Sequence, residues 1–298
     1  MKRIFFAHIA LFIVNLIYAL NYTIAKDVMP GYIEPSGFIL LRVLCGVFLF
    51  SFFYFLFIKE SVGKKDFFRL ALCGLFGVAI NQLFFFEGLN LTTPINAAII
   101  MTVNPVLVII ISALLIGEKI TVKKIIGIVL GIIGAGALIL NSGSVSFDND
   151  FFIGNLLVLI NATSYAIYLV LVKGLMKKYN PLTVMFFVFL FGLFFVLPFG
   201  YQDLNSVNID SFTNDIYLKI LFVVVCTTFI AYLLNAFALK SLNPSIVSIY
   251  IYLQPVLASV IAILYNSDTI DYIKIVSSIF IFIAVFLVSI PTKKVITN

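Results

Sequence analysis

The sequence predicts an all-α integral membrane protein with ten transmembrane helices, arranged as two inverted five-helix repeats. Three observations carry this prediction. The 298 residues are 63% apolar and only 11% charged, whereas an average soluble domain is about 25% charged. Apolar runs of about 20 residues, each long enough to cross a bilayer as a helix, recur along the whole chain. Residues 89–125 also repeat at residues 239–275 with a constant shift of 150.

The apolar runs are continuous, which favours helices over a barrel. A transmembrane barrel would show segments of about 10 residues that alternate apolar and polar. The chain starts with Met-Lys-Arg and an apolar run, as a signal peptide does, but no small-residue cleavage site follows, so we expect this helix to be retained. The predicted spans are 4–26, 35–58, 67–88, 93–116, 123–141, 151–173, 182–201, 216–239, 243–265 and 272–290.

The basic residues of the loops predict the topology. Of the 19 Lys and Arg residues, 15 lie on the face that holds the N-terminus, and Lys26, Lys219 and Lys274 lie on the opposite face. Lys and Arg are enriched in cytoplasmic loops. We therefore expect both termini in the cytoplasm and the chain in a plasma membrane, most simply the cytoplasmic membrane of a bacterium. The net charge of +6 is explained by this bias and does not indicate nucleic-acid binding.

The internal repeat predicts how the two halves are related. Pro105 recurs as Pro255 without any gap in the alignment. A unit of five spans is odd in number, so the second copy must enter the membrane from the opposite face. We predict residues 1–145 as the first repeat and residues 146–298 as the second, inverted repeat, together forming one transport bundle.

The first helices of the two halves also match, at a shift of 147. Tyr18-Ala19-Leu20 aligns with Tyr165-Ala166-Ile167, and Lys26 aligns with Lys173. Chance explains a few shared Leu and Ile residues in two apolar helices. It does not explain a Tyr-Ala pair and a terminal Lys that fall in the same register.

Several of these residues resemble the EamA family of the drug/metabolite transporter superfamily. The resemblance rests on the stretch Pro94–Glu118, which ends in Leu-Ile-Gly-Glu, and on Pro35 followed by Arg42. It covers nearly the whole chain and implies a carrier of small metabolites, such as amino acids and related compounds, often outward. The second copy departs from the pattern, with Ser267-Asp268 in place of the final Gly-Glu and no equivalent of Arg42.

Polar residues at helical spacing inside the spans predict a substrate pathway. Polar groups are costly in lipid, so they should face a cavity or one another. Aromatic rings stack on organic molecules and amides bind polar groups. The alternative is hydrogen bonding between helices that only holds the bundle together. Because six spans contribute, we favour a pathway. Its predicted residues are Tyr18, Asn21, Tyr22, Asn81, Gln82, Asn96, Tyr165, Tyr168, Tyr232, Tyr252 and Gln254.

Two charged residues are predicted inside the membrane. Arg42 is the one basic residue well within a span, and Glu87 lies at a similar depth in the third span. An unpaired charge at this depth is expensive. We expect the two to form an ion pair, or one of them to meet the substrate or a proton. The alternative is that Arg42 extends toward the interface.

Pro105 and Pro255 are candidate hinge or gate elements. A proline inside a helix removes one backbone hydrogen bond and can kink the helix. Their matched places in the two repeats favour a role in movement. A static kink is the alternative.

These features predict a secondary transporter of a small organic metabolite that works by alternating access and exports rather than imports. A facilitative channel-like or exchange permease is the alternative. An integral-membrane enzyme is less favoured, because the spans lack a carboxylate pair or a His cluster. We expect no cofactor and no metal.

The expected partners are the small-molecule substrate and the lipid bilayer, and not nucleic acid. The fifth span carries Gly127, Gly131, Gly134 and Gly136. Such a face permits close helix packing, either within the chain or between two copies in a homodimer.

Overall fold

The computed structural model describes residues 2–58, 60–116, 122–140, 149–242, 244–265 and 270–289. These ranges are helical apart from short connections, and no strand occurs within them. Eight of their helices are long and apolar enough to cross a membrane: α1 (Ile4–Val28), α2 (Pro35–Ile58), α3 (Lys64–Leu91), α4 (Pro94–Leu115), α6 (Asp150–Lys178), α7 (Pro181–Asn205), α8 (Asn214–Ser241) and α9 (Ile246–Leu264).

Two further apolar helices are α5 (Val122–Leu140) and α10 (Tyr272–Ser289). They fall on the predicted fifth and tenth spans. The eight long helices agree with the other predicted spans to within five residues at each end. The prediction of an all-α integral membrane protein is therefore confirmed. The Gly-Glu end of the repeat motif and its Ser267-Asp268 counterpart lie outside the described residues.

Prolines and capping side chains set where several helices begin. Pro35, Pro94 and Pro181 each occupy the first turn, where the missing N–H has no helical partner to lose. Thr93 Oγ1 accepts a hydrogen bond from the backbone N–H of Asn96 at 3.2 Å. Such a cap satisfies one of the free N–H groups of the first turn.

Four helices are irregular in the middle. α3 contains a π-helical segment at Leu75–Ala79, and α8 contains one at Phe222–Ile230. α4 is interrupted by a turn at residues 102–103, and α9 tightens to a 3-10 turn at Tyr250–Tyr252. π-helical turns occur frequently at functional sites. Under the shift of 150, each irregular segment lies on or beside its counterpart.

The long helices pack as two bundles. α1 packs on α8 and α9, and α2 packs on α8, which makes the first bundle. α6 packs on α3 and α4, and α7 packs on α3, which makes the second bundle. α2 and α7 lie along each other and join the bundles, while α4 meets α9. α5 and α10 pack on each other at the periphery.

The glycine face of α5 packs within the chain. A Cβ atom on Gly134 would lie 2.7 Å from Ile281 Cγ1 of α10, and one on Gly131 would lie 3.3 Å from Val106 Cγ2 of α4. The close approach that the small residues permit is therefore used by α10 and α4 of the same chain. This is the first of the two arrangements that the sequence allowed.

Candidate substrate cavity

A polar cavity lies where α1, α2, α3, α4, α6, α8 and α9 converge. The cavity has a volume of about 70 Å³, which leaves room for more than one water molecule. Its lining residues are Val14, Asn15, Tyr18, Asn21, Tyr22, Arg42, Asn81, Gln82, Phe85, Phe86, Met101, Asn161, Tyr165, Tyr232, Asn235, Val247, Ile251 and Gln254.

Eight of the eleven predicted pathway residues line this cavity, and three do not. Asn96 lies in the first turn of α4, with its Nδ2 3.5 Å from Thr92 Oγ1. Tyr168 points its hydroxyl to Met185 Sδ at 3.9 Å. Tyr252 packs edge-on against Phe282 of α10. These three side chains therefore lie outside the cavity wall in this structure, and Tyr168 and Tyr252 contact residues of neighbouring helices.

A hydrogen-bonded chain joins α1 to α9 at the cavity wall. The Tyr22 hydroxyl donates to Gln254 Oε1 at 2.8 Å. Gln254 Nε2 donates to Asn15 Oδ1 at 2.7 Å, and Asn15 Nδ2 donates to the Leu11 carbonyl at 2.7 Å. The first bundle therefore presents a pre-ordered polar wall, because each amide is held by its neighbour.

A second link crosses the cavity between the two bundles. Gln82 Nε2 of α3 donates to the Tyr232 hydroxyl oxygen of α8 at 3.0 Å. The Tyr232 hydroxyl in turn donates to the Gly77 carbonyl at 3.0 Å. That carbonyl lies in the π-helical segment of α3, so the irregular backbone of α3 supplies an acceptor to the opposite bundle.

Two tyrosines from matched helices meet at one amide. Asn235 Nδ2 lies 3.4 Å from the Tyr18 hydroxyl of α1 and 3.4 Å from the Tyr165 hydroxyl of α6. All three residues line the cavity. The hydroxyls and the amide therefore form one polar patch that involves both bundles.

Arg42 is buried in the cavity wall with 3% of its surface exposed. Its Nε donates to Thr228 Oγ1 at 2.9 Å, and its guanidinium carbon lies 4.5 Å from the centre of the Phe86 ring. Among the residues that the structure describes, no carboxylate pairs with it. The guanidinium therefore faces the cavity with a hydroxyl and an aromatic ring as neighbours and no counter-charge.

Glu87 does not pair with Arg42. Its Oε1 accepts a hydrogen bond from Ser36 Oγ at 2.6 Å, a contact between α3 and α2. Glu87 is also absent from the cavity wall. The expected ion pair is therefore not formed, and of the two residues only Arg42 is placed where a guest molecule could touch it.

Three buried amide oxygens in the wall are unsatisfied. Asn21 Oδ1, Gln82 Oε1 and Asn161 Oδ1 have no hydrogen-bond partner among the described part of the chain. A buried polar atom without a partner costs about 1–3 kcal/mol. Asn161 belongs to the polar stripe of the sixth predicted span, since it lies one helical turn before Tyr165 on the same face of α6. In this conformation they are covered by protein atoms, so a donor in the cavity would reach them only after the wall rearranges.

The prolines lie directly beside the cavity. Pro105 has no N–H to offer to the carbonyl of Met101, four residues earlier, and Pro255 has none for that of Ile251. Both Met101 and Ile251 line the cavity. Each proline therefore frees a backbone carbonyl from its usual helical partner at the cavity wall. Backbone of this kind is tolerated in a membrane where it is covered by protein or lines a cavity.

The wall combines aromatic rings, phenol hydroxyls, amides and one guanidinium. Within the described residues, no group of three or more His, Cys, Asp or Glu side chains is placed to hold a metal ion. Such a lining is suited to holding a small organic molecule by stacking and hydrogen bonds. A multi-helix membrane protein with a buried polar cavity of this type has the architecture of a membrane transporter.

Comparison with known proteins confirms this class. The model of the EamA-like transporter family matches residues 5–140 and residues 152–290. The chain belongs to the EamA-like transporter family, as its motifs indicated.

Individual relatives have low sequence identity to this chain but match most of its length. The uncharacterized transporter YyaM of Bacillus subtilis (strain 168) is 25% identical over 81% of this chain and 80% of its own length. An uncharacterized transporter of Archaeoglobus fulgidus is 27% identical over 77% of this chain and 79% of its own. One protein of known crystal structure matches 95% of this chain and 96% of its own with a TM-score of 0.67 at 16% identity, which shows a shared fold.

Proposed function

We propose that this protein is a secondary carrier that moves a small organic metabolite by alternating access. The observation that carries the proposal is the central cavity, whose wall holds a buried guanidinium and three amide oxygens that find neither a counter-charge nor a hydrogen-bond partner among the described residues. Buried groups of this kind are costly in a membrane unless a ligand meets them. A purely structural bundle would gain nothing from keeping them.

Ten crossings in two inverted repeats would give the carrier its two alternating openings, and the hydrogen bonds support that arrangement. Asn104 Nδ2 donates to the Ala162 carbonyl at 2.7 Å, and Gln254 Nε2 donates to Asn15 Oδ1 at 2.7 Å. Residues 104 and 254 differ by 150, and residues 15 and 162 differ by 147. Each bond thus joins the residue before the mid-helix proline to the same place on the first helix of the other half.

Contacts between equivalent residues support a pseudo-two-fold axis through the cavity. Gln82 and Tyr232 differ by 150 and bond directly to each other. Tyr18 and Tyr165 differ by 147 and approach the same Asn235 amide. A residue can touch its own symmetry mate only near the axis. In inverted-repeat transporters the substrate site lies at the interface of the repeats, near the middle of the membrane.

The wall chemistry supports a substrate with a carboxylate and a hydrogen-bond donor, such as an amino acid or a related compound. A guanidinium binds a carboxylate through two parallel hydrogen bonds. The oxygens of Asn21, Gln82 and Asn161 suit an ammonium, amine or hydroxyl donor. The surrounding rings add stacking and attraction for a cation.

The proposal also includes the direction of transport and the membrane in which the protein lies. We expect export from the cytoplasm, because members of the family often carry metabolites outward. The basic residues in the loops favour cytoplasmic termini and a bacterial cytoplasmic membrane. Pro105 and Pro255 are proposed as hinge elements, because each lies four residues after a cavity-lining residue of its helix, Met101 and Ile251. A chain of this kind acts on its substrate without chemical conversion.

The test is transport by the purified protein in sealed vesicles. Radiolabelled amino acids and small carboxylic acids are offered singly, with and without the unlabelled compound inside. A carrier gives saturable uptake and counterflow, in which internal unlabelled substrate accelerates the entry of label. Uptake that stays linear with concentration and shows no counterflow would indicate a channel-like permease. No uptake of any compound, with conversion of one of them, would indicate an enzyme.

We expect Asn21→Leu to weaken binding of an amino acid about tenfold. The substitution keeps the size of the side chain and removes an unsatisfied oxygen that would accept from the substrate, and a hydrogen bond to a charged donor contributes about 1.5–3 kcal/mol. The measurement is the substrate concentration that half-saturates counterflow. Asn205→Leu is the matched control, since Asn205 is exposed at the end of α7. Equal half-saturation in the two variants would contradict a role for this oxygen.

A further inference from the structure

Two lysines in equivalent places fasten the two bundles together. Lys26 Nζ at the end of α1 donates to the Leu89 carbonyl at 3.1 Å and to the Thr92 carbonyl. It also lies 3.4 Å from the Asn90 carbonyl. Leu89 and Asn90 are in the last turn of α3, and Thr92 follows it. The ammonium thus joins α1 of the first bundle to the corner between α3 and α4 of the second.

The same arrangement recurs at the other lysine. Lys173 Nζ of α6 donates to the Leu239 carbonyl at 2.6 Å and to the Leu242 carbonyl. Leu239 is in the last turn of α8, and Leu242 precedes α9. Here the ammonium joins α6 of the second bundle to the corner between α8 and α9 of the first.

The contacts of Lys26 and Lys173 involve equivalent residues of the two repeats. Lys26 and Lys173 differ by 147, the shift that aligns the first helices. Their acceptors Leu89 and Leu239 differ by 150, the shift that aligns the long repeat, as do Thr92 and Leu242. In two inverted halves, equivalent contacts lie on opposite faces of the membrane. One fastening is therefore near the face opposite the N-terminus and the other near the N-terminal face.

Each acceptor corner is suited to a cation. The last carbonyls of a helix lack helical partners, and the helix dipole places partial negative charge there. Lys26 is half-buried, and its three N–H donors match the three carbonyls around it. Residues that directly follow a helix can also cap its last carbonyls. A lysine from the other bundle is not needed for capping, so its contact adds a connection between the bundles.

The fastenings enclose the cavity from both ends. Tyr22 and Phe85 line the cavity, and Lys26 and Leu89 lie one helical turn beyond them. Asn235 of α8 also lines it, and Leu239 lies one turn beyond. A path out of the cavity between α1 and α4 would pass Lys26, and one between α6 and α9 would pass Lys173.

We propose that Lys26 and Lys173 are paired gate latches, one for each face, and that the transport cycle releases them alternately. The inference rests on the proposed carrier function. Both latches are made in this structure. Opening one face requires the α1 or α6 lysine there to leave its carbonyls, while the other latch keeps the opposite face shut.

The test measures which face of the membrane gives access to the cavity. In a chain whose three cysteines, Cys45, Cys73 and Cys226, are replaced by alanine, Met101→Cys provides a reporter in the cavity wall. A membrane-impermeant methanethiosulfonate reagent is applied to right-side-out or inside-out vesicles. The rate of labelling then reports opening toward the treated face.

Loss of a latch should open one face only. We expect Lys26→Met to raise labelling from the face opposite the N-terminus about tenfold, and Lys173→Met to raise labelling from the N-terminal face by a similar factor. Tenfold corresponds to about 1.4 kcal/mol, the scale of one hydrogen bond to a charged group. Methionine keeps the length of the side chain and removes the donors.

Two other lysines serve as matched controls. Lys219 pairs with Asp27 at 2.9 Å and Lys178 with Asp66 at 3.1 Å, and each of these pairs joins helices of the same bundle. Lys219→Met and Lys178→Met should leave labelling unchanged from either face. If a Met variant fails to fold, Lys26→Gln and Lys173→Gln replace it, since one amide can donate to fewer carbonyls than an ammonium.

The outcomes separate the latches from the carrier function. Unchanged labelling in both latch variants, or an increase at the same face in both, overturns the latches. A protein that shows counterflow but no shift in labelling keeps the carrier function and loses the latches. A protein that shows opposite shifts but no counterflow keeps two gated faces and loses the carrier function.

Discussion

Arg42→Gln should reduce transport of a carboxylate-bearing substrate by at least about 100-fold. The guanidinium is buried in the cavity wall without a carboxylate partner among the described residues, so we infer that the substrate supplies the counter-charge. Two charge-assisted hydrogen bonds of about 1.5–3 kcal/mol each correspond to a factor of this size. Initial rates of counterflow at low substrate concentration give the measurement.

The same substitution should leave the protein folded. Burial of an unpaired charge is costly, so a neutral side chain at this place should keep or raise the thermal stability. Arg42→Lys keeps the charge and loses the planar fork, and we expect an intermediate loss of transport. Thr228→Val removes the hydrogen bond to Arg42 Nε and should transport at close to the normal rate. Normal transport by Arg42→Gln would remove Arg42 from the substrate site.

The repeated sequence predicted more than the order of the helices. The register of Lys26 with Lys173 and of Pro105 with Pro255 was visible in the sequence because an inverted duplication keeps its landmark residues. The structure then brings Lys26 and Lys173 to equivalent carbonyls. The contact itself was not predictable, since backbone acceptors leave no mark in the sequence.

Most of the cavity wall was predictable because polar side chains are costly inside a membrane and therefore mark its polar interior. The exceptions have physical reasons. Tyr168 is polar, but its ring stacks on Tyr165 and covers Gly77 of α3. Residue type alone cannot distinguish a tyrosine that packs between helices from one that lines the cavity. Phe85 and Phe86 line the cavity and were missed because apolar residues are expected everywhere in such a chain.

The ion pair between Arg42 and Glu87 was expected because both residues lie at a similar depth in the membrane. Depth alone does not define the face of the helix from which a side chain projects. On α3, Phe85 and Phe86 lie three and four residues after Gln82 and share its face, whereas Glu87 lies five residues after it and faces elsewhere. Glu87 accordingly meets Ser36 of α2. The position of Phe85, Phe86 and Glu87 around the helix relative to Gln82 would have predicted which of them face the cavity.

Gly154→Val should destabilise the protein by about 2–3 kcal/mol, the cost typical of overpacking. α3 and α6 cross so closely that a Cβ atom on Gly154 would lie 2.9 Å from the Gly88 carbonyl oxygen and 2.9 Å from backbone carbon of Leu91. The obstacle is backbone, so no side chain can turn aside. The helices cannot separate without breaking the 2.5 Å hydrogen bond between Thr92 Oγ1 and Asn155 Oδ1 at the same crossing.

The buried thiol of Cys73 provides the measurement for Gly154→Val. Cys73 is 0% exposed, so a thiol-reactive dye reports its exposure when the purified protein is heated. We expect the midpoint to fall by about 5–10 °C, since 1 kcal/mol corresponds to about 2–4 °C in a large domain. Gly31→Val is the matched control, because a Cβ atom there has nothing within 4 Å. Equal midpoints for the two variants would mean that α3 and α6 can move apart freely, and the second bundle would then not be a rigid unit against which the lysine of α1 could close.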